Sequence, residues 1–315
     1  MTRDSNRRDF LRAGLGIGIG YCVTAAAGAA ETRAPGARPV SVYIMTDMEG
    51  VAGVLDFDNW TGLESRYYDL GKEFLTLEVN AAIEGFARGG ASEFLVADGH
   101  GWGAVNPKLL DPRAELARNW APPPYPFSME RGMTFSAYVG QHAMSRTEFA
   151  HLAHTGSCSV FETTINGRPV GEFGEGTLCA SQLGIRTIFA SGDLALTKEA
   201  KLLVPGIETV AVKRGTTPGR GDECTRETYC KRNLGAIHLH PERARQMIRA
   251  GAERAIRRAM QDQSFGLVPL RPPFERVTIL RAQKGQPKRV GRSTHPDSVI
   301  ALMNAPMKYE TLKEK

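Results

Sequence analysis

Three apolar runs end abruptly in acids or histidine: RPVSVYIMTD from Arg38, SEFLVADGH from Ser92 and TFSAYVGQH from Thr134. Runs that stay apolar without alternation fit strands buried on both faces. Between the first two lies SRYYDLGKEFLTLEVNAAIEGFARGG, whose apolar Tyr67, Leu70, Phe74, Leu77 and Ala81 recur at helical spacing before Gly89-Gly90 stops them. Strand, helix, strand, connection, strand predicts an α/β fold with a mainly parallel central sheet flanked by helices.

Further along, SVFETTINGRPVGEFG reads as a hairpin turning at Asn166-Gly167, and RTIFASGD as another buried strand. A helix is predicted near LTKEAKLLV, a strand at IETVAVK, and an amphipathic helix at HPERARQMIRAGAERAIRRAMQ with Pro241 in its first turn. The segment NPKLLDPRAELARNWAPPPYP is mixed and ends in a proline-rich loop. RVTILRA and DSVIALMNA predict a smaller C-terminal α+β appendage, and KYETLKEK a frayed tail.

The first thirty residues carry a different message. Arg7-Arg8 and Phe10-Leu11 precede a glycine-rich apolar stretch from Ala13 to Val23, then Ala27-Gly28-Ala29. This is the pattern of a twin-arginine signal with a small-residue cleavage site. The apolar stretch is too short to span a bilayer, so a periplasmic or extracellular protein with no stable membrane anchor after cleavage is expected. That export route carries folded chains, which fits a metal loaded in the cytoplasm. The chain thus divides into a signal at 1–30, a linker at 31–38, a metal-binding α/β catalytic region at 39–213, a cysteine-containing loop at 214–233 and a C-terminal region at 234–315.

Net charge is +6, of which four arginines against two aspartates in the signal account for +2. The remaining excess is small and scattered, which argues against a nucleic-acid partner. Past the signal four cysteines remain, Cys158, Cys179, Cys224 and Cys230, with no zinc-knuckle spacing. Cys224 and Cys230 share one polar loop, and a local disulfide between them is expected in an oxidising compartment.

The chemistry sits at the strand ends. Asp47 and Glu49 are two apart and share one face at the end of the first strand, with His100 and His142 ending the next two. Ligands of open parallel sheets bind outside the carboxyl ends of the strands. Carboxylates and imidazoles gathered there suit zinc, with manganese or iron as alternatives. They come near the minimum for two metal ions sharing a carboxylate. A fifth ligand is supplied by Glu172 after the hairpin, with Glu175 its competitor. His238 and His240 read as surface or capping residues before the Pro241 helix, and His295 as solvated.

These motifs resemble the zinc-dependent D-aminopeptidase family. The resemblance runs in order through DMEGVAG at Asp47, VADGH at Val96, PFSME at Pro126, GQHA at Gly140, HTGS at His154 and NGRPVGE at Asn166, between Val40 and Lys213. It implies that Asp47 bridges two zinc ions per subunit, Glu49 and His100 completing one and His142 and Glu172 the other. It implies a catalytic role for His154, with His151 a near rival, short peptides with N-terminal D-residues such as D-alanine as substrates, and a homo-oligomeric ring. Glu175 is a candidate acceptor for the substrate amine. The loop Arg214–Asn233 stands out as an insertion, and the C-terminal region as shortened. A metal-dependent amidase or esterase on non-peptide substrates, and a non-catalytic metal- or peptide-binding protein, are the alternative readings.

Overall fold

The computed structural model describes residues 39–313, so the twin-arginine segment, its cleavage site and the linker lie outside the described residues. In chain order the first elements are β1 (Ser41–Thr46), α1 (Phe57–Trp60), α2 (Tyr68–Arg88), β2 (Glu93–Asp98), β3 (Ala114–Ala117), β4 (Phe135–Gln141), β5 (Val160–Ile165), β6 (Arg168–Pro169) and α3 (Glu172–Leu183). There follow β7 (Arg186–Asp193), α4 (Leu194–Leu203), β8 (Glu208–Gly215), α5 (Arg226–Tyr229), β9 (Ala236–His238), α6 (Pro241–Gln261), β10 (Phe274–Leu280), β11 (Arg289–His295), α7 (Val299–Asn304) and β12 (Tyr309–Thr311).

Seven strands form the main sheet in the order β3-β2-β1-β4-β7-β8-β9, all parallel except the last pair. Successive side chains alternate between its two faces. Val42, Ile44, Phe94, Val96, Phe135 and Val139 pack under α2 and α6 on one side. Tyr43, Leu95 and Ala97 face the other side, against Met129 and Ile185, and Tyr138 meets Phe173 of α3. The buried stripe of α2 is Tyr68, Leu75, Val79, Ala82 and Phe86, while Tyr67 and Leu70 are exposed. The helix forms where its spacing predicts, but its core face is rotated by about one position, because α6 covers that flank.

A second sheet, antiparallel, runs β12-β11-β10-β5-β6. It draws the Asn166-Gly167 hairpin into register with the C-terminal strands. The tail is not frayed at Tyr309–Thr311, which pair with β11. His295, expected to be solvated, is half-buried and accepts a hydrogen bond from Ser298 N at 3.0 Å at the start of α7. His240 caps α6 as expected, accepting from Glu242 N.

The disulfide differs from the expected one. Cys230 pairs with Cys158, 72 residues away with Cα atoms 5.7 Å apart, and Cys224 is free. Local spacing favoured Cys224, but the loop folds back over the segment after β4 and presents Cys230 to it instead.

No described helix is long and apolar enough to cross a membrane.

Candidate metal centre

The chain runs β1, β2 and β3 outward on one side and then returns to place β4 on the other side of β1. That reversal opens a crevice at the carboxyl ends of β1 and β4. Close backbone approach makes the crevice narrow. Gly50 N donates to Gly140 O at 2.7 Å. A side chain on Gly140, whose φ is +75°, would come within 2.1 Å of the Asp47 carbonyl, so only glycine fits there.

Asp47 is buried at the centre, its two oxygens facing opposite ways. Its Oδ1 lies 3.2 Å from His100 Nδ1, and its Oδ2 lies 3.1 Å from His142 Nε2. Glu49 Oε2 is 3.1 Å from the same His100 nitrogen, and Glu172 Oε1 is 3.4 Å from the same His142 nitrogen. The far side of each ring is spoken for: His100 Nε2 meets Thr61 O at 2.8 Å and His142 Nδ1 meets Ala143 O at 2.9 Å. A carbonyl can only accept, so each ring keeps a proton there, and the nitrogen facing the carboxylates is the one whose proton a metal ion would replace.

These spacings bear on whether a metal fits. Bonds of about 2.0–2.2 Å in a tetrahedral array put neighbouring ligand atoms about 3.3–3.6 Å apart. The observed 3.1 to 3.4 Å separations lie at or just below that edge. His142 Nε2, fully buried, makes no hydrogen bond among the described residues, which is costly for a ring nitrogen unless a cation takes its lone pair. Charge argues the same way. Burial alone would pull His100 down, yet Glu49 and Asp47 push it up to about 12. Burial would raise the Asp47 carboxyl, but His100 and His142 hold it well below the usual range. The pocket calls for positive charge among its acids.

His154 stacks on His142 with ring centroids 3.9 Å apart, and Phe57 meets its edge. Its Nδ1 engages Leu152 O at 2.9 Å, leaving Nε2 facing the cavity, 3.8 Å from Glu172 Oε1. His142, His154 and Glu172 could together hold an ion, but that 3.8 Å separation is longer than the tetrahedral edge the others keep. His151, the rival, is buried, points to Leu55 O at 3.0 Å, and is pushed down to about 2 by burial and by Lys213. It does not line the cavity.

The cavity holds about 430 Å³ and is walled by Phe57, Trp102, Tyr125 and Phe127. Glu175 lines it too, taking a hydrogen bond from Tyr125 Oη at 2.7 Å. Burial pushes Glu175 up to about 7.

Sequence reasoning missed the residues that support this array. Gln141 Nε2 donates to Asp47 Oδ2 at 3.0 Å. Lys213, buried on β8, donates to Val54 O at 3.2 Å beneath the acidic turn. Its position at the end of an apolar strand, on the same sheet edge as the candidate ligands, was a usable signal. Thr61 acts through its carbonyl and leaves none.

Glu78 also supports the turn, accepting from Ala52 N at 3.0 Å. Burial pushes it from 4.5 up to about 7. Between those values the folded chain holds a proton the unfolded chain has lost, so stability falls as pH rises through that window. Glu78→Gln is expected to flatten that slope, by about 3 kcal/mol at most, in denaturant titrations at pH 4.5 and pH 8. An unchanged slope would show that Glu78 stays ionised in the fold.

Comparisons with known proteins agree with one another. A profile of the peptidase M55 family, D-aminopeptidase, matches residues 40–287. A D-aminopeptidase of Bacillus subtilis (strain 168) is 32% identical over 180 residues, which cover 56% of this chain and 64% of that relative. The match therefore spans less than two thirds of that relative's length. Among solved structures, the Zn-dependent D-aminopeptidase DppA from Bacillus subtilis, described as a self-compartmentalizing protease, superposes with a TM-score of 0.69. It covers 84% of this chain and 95% of its own at 22% identity, a likeness of fold.

Proposed function

Because this chain belongs to the peptidase M55 family of D-aminopeptidases, we propose that it is an exported binuclear zinc aminopeptidase acting on short peptides with N-terminal D-residues. The observation that carries the reading is Asp47, whose two oxygens each face a histidine nitrogen on a ring that directs its other nitrogen to a backbone carbonyl. Asp47, Glu49 and His100 would hold one ion, and Asp47, His142 and Glu172 the other. Zinc bound there supplies Lewis acidity that polarises a scissile carbonyl and lowers the pKa of water toward about 7.

The chain's own groups do the rest. The Leu152 carbonyl keeps the His154 proton on Nδ1, so Nε2 carries the lone pair that takes a proton from the attacking water. The same nitrogen, once protonated, faces the departing amine. Glu175, held by Tyr125, accepts the ammonium group of the substrate's first residue. Phe57, Trp102, Tyr125 and Phe127 exclude water and wall the side chain. Metal contact, amine acceptor and wall are three fixed points, the number needed to tell D from L. The described self-compartmentalizing relative supports a homo-oligomeric ring that admits only short peptides. Export to the periplasm or beyond, where cell-wall turnover releases D-alanine peptides, completes the proposal.

The test is metal analysis of the mature protein together with hydrolysis of D-Ala-D-Ala and D-alanyl amides against their L-isomers. Two zinc ions per chain and faster turnover of the D-isomers are expected. A size preference among D-residues should be graded, since one methylene is worth only about 1–3 kcal/mol. Equal rates on both isomers would overturn the stereochemical claim and leave a metallopeptidase. No hydrolysis with both ions bound would turn the weight to a binding protein.

A further inference from the structure

Met144–Ser159, the stretch that delivers His154 to the cavity, contains no helix or ladder strand of its own. Three of its non-glycine residues have left-handed backbone: Arg146 at φ 66°, Phe149 at 51° and Leu152 at 53°. Side chains resist that conformation, and it persists only where the surroundings impose it.

One other segment supplies the imposition at all three positions. Arg146 N donates to Tyr229 Oη at 2.8 Å. Phe149 N donates to Thr217 O at 3.1 Å, and Leu152 N donates to Asn233 O at 3.0 Å. The acceptors span Thr217–Asn233, within the cysteine loop. The same loop gives Asp222 to the Arg146 guanidinium at 2.6 Å and Cys230 to Cys158, which lines the cavity. The carbonyl that sets the His154 tautomer belongs to Leu152, the last of the three strained residues.

The loop itself is anchored from the second sheet. Arg281, just past β10 and almost fully buried, lies 3.5 Å over the Tyr229 ring and donates to Gly221 O at 2.7 Å. It also reaches Ser145 Oγ at 3.2 Å, so one guanidinium touches both loop and catalytic stretch.

We propose that Thr217–Asn233 is a positioning clasp for His154, held shut by the Cys158–Cys230 disulfide, so that turnover depends on that bond being oxidised. The proposal rests on His154 acting in the reaction; the clasp itself is a matter of geometry and can be tested apart from it. Cys230, Tyr229 and Arg281 are positioning residues that act through the His154 backbone from outside the cavity, and Cys158, on the cavity wall, ties them to it.

The experiment compares the zinc-loaded chain before and after reduction with tris(2-carboxyethyl)phosphine, which lacks the thiolates that would themselves draw off zinc. The phosphine gives up two electrons and takes the oxygen of a water molecule to become the phosphine oxide, and that water's two protons leave Cys158 and Cys230 as thiols. Alkylation and mass mapping verify both thiols. Hydrogen exchange at residues 146–155 is expected to accelerate at least tenfold, and kcat on D-Ala-D-Ala to fall at least tenfold. KM should move less than threefold, metal content should hold, and reoxidation should restore kcat. Cys224→Ser should behave as the parent chain. Tyr229→Phe, which removes only the hydroxyl facing Arg146 N and keeps the disulfide, should lower kcat severalfold with little change in KM. A verified dithiol form that exchanges and turns over like the oxidised chain overturns the proposal. So does loss of metal in step with reduction, since the bond would then be holding the ions and not His154. If the oxidised chain hydrolyses no peptide, faster exchange on reduction still supports the clasp, and unchanged exchange overturns it.

Discussion

Asp47→Ala should strip both metal ions from the cavity while leaving the sheet folded. Its two oxygens lie 3.2 Å from His100 Nδ1 and 3.1 Å from His142 Nε2, so its removal should take a ligand from each ion at once. Losing a partner one step behind a ligand costs about 10–100-fold in metal affinity; a ligand shared by two ions should cost more than about 10³-fold for the pair. Mass spectrometry of the dialysed variant should find little zinc where the parent is expected to hold two ions per chain. Added zinc should raise the melting temperature of the parent and not of the variant, because a ligand stabilises only the fold that binds it. His142→Ala is the comparison, expected to release one ion and keep the other. If Asp47→Ala retains as much zinc as His142→Ala, the bridge is wrong.

His154→Ala is expected to have the opposite signature, full metal and almost no turnover. Its Nε2 stands farther from Glu172 than the ligand atoms stand from one another, and its Nδ1 is tied to Leu152 O. Removing a general base or acid costs about 10²–10⁴-fold in rate. The loss should fall on kcat, since the aromatic walls and Glu175, proposed above to hold the substrate, remain. Zinc content equal to the parent's and a KM within a few-fold are the accompanying expectations. Loss of an ion comparable to that in His142→Ala would make His154 a ligand. Unimpaired kcat would remove it from the chemistry.

Much of this arrangement is legible in the chain because parallel strands announce themselves. SVYIMT, EFLVAD and FSAYVGQ are dominated by apolar residues without strict alternation, as strands covered on both faces are, and the polar residues that follow them share one sheet edge. Edge and antiparallel strands leave weaker marks. AELA at β3 is partly exposed and has no apolar run, and β11 reads RVGRSTH, a mixture that only its partners β10 and β12 make into a strand. The Cys158–Cys230 pairing depends on how a loop folds across 72 residues, which no local spacing encodes. The supports of the site divide similarly. Gln141 sits beside His142 in an already suspicious motif, whereas Thr61 contributes a carbonyl any residue could offer.

The two halves of the cavity come from different kinds of backbone. Asp47, Glu49, His100 and His142 stand at or just beyond the ends of strands wedged together so tightly that a single added methyl at Gly140 would collide with the Asp47 carbonyl. Tyr125 and Phe127, which face them, ride on the proline-rich connection between β3 and β4, outside any helix or strand. Selection can therefore reshape the wall one residue at a time while the half proposed to hold the ions stays intolerant of change. For protein engineers the division marks where to place a library: residues 119–128 for a new side-chain preference, with the strand ends left as they are.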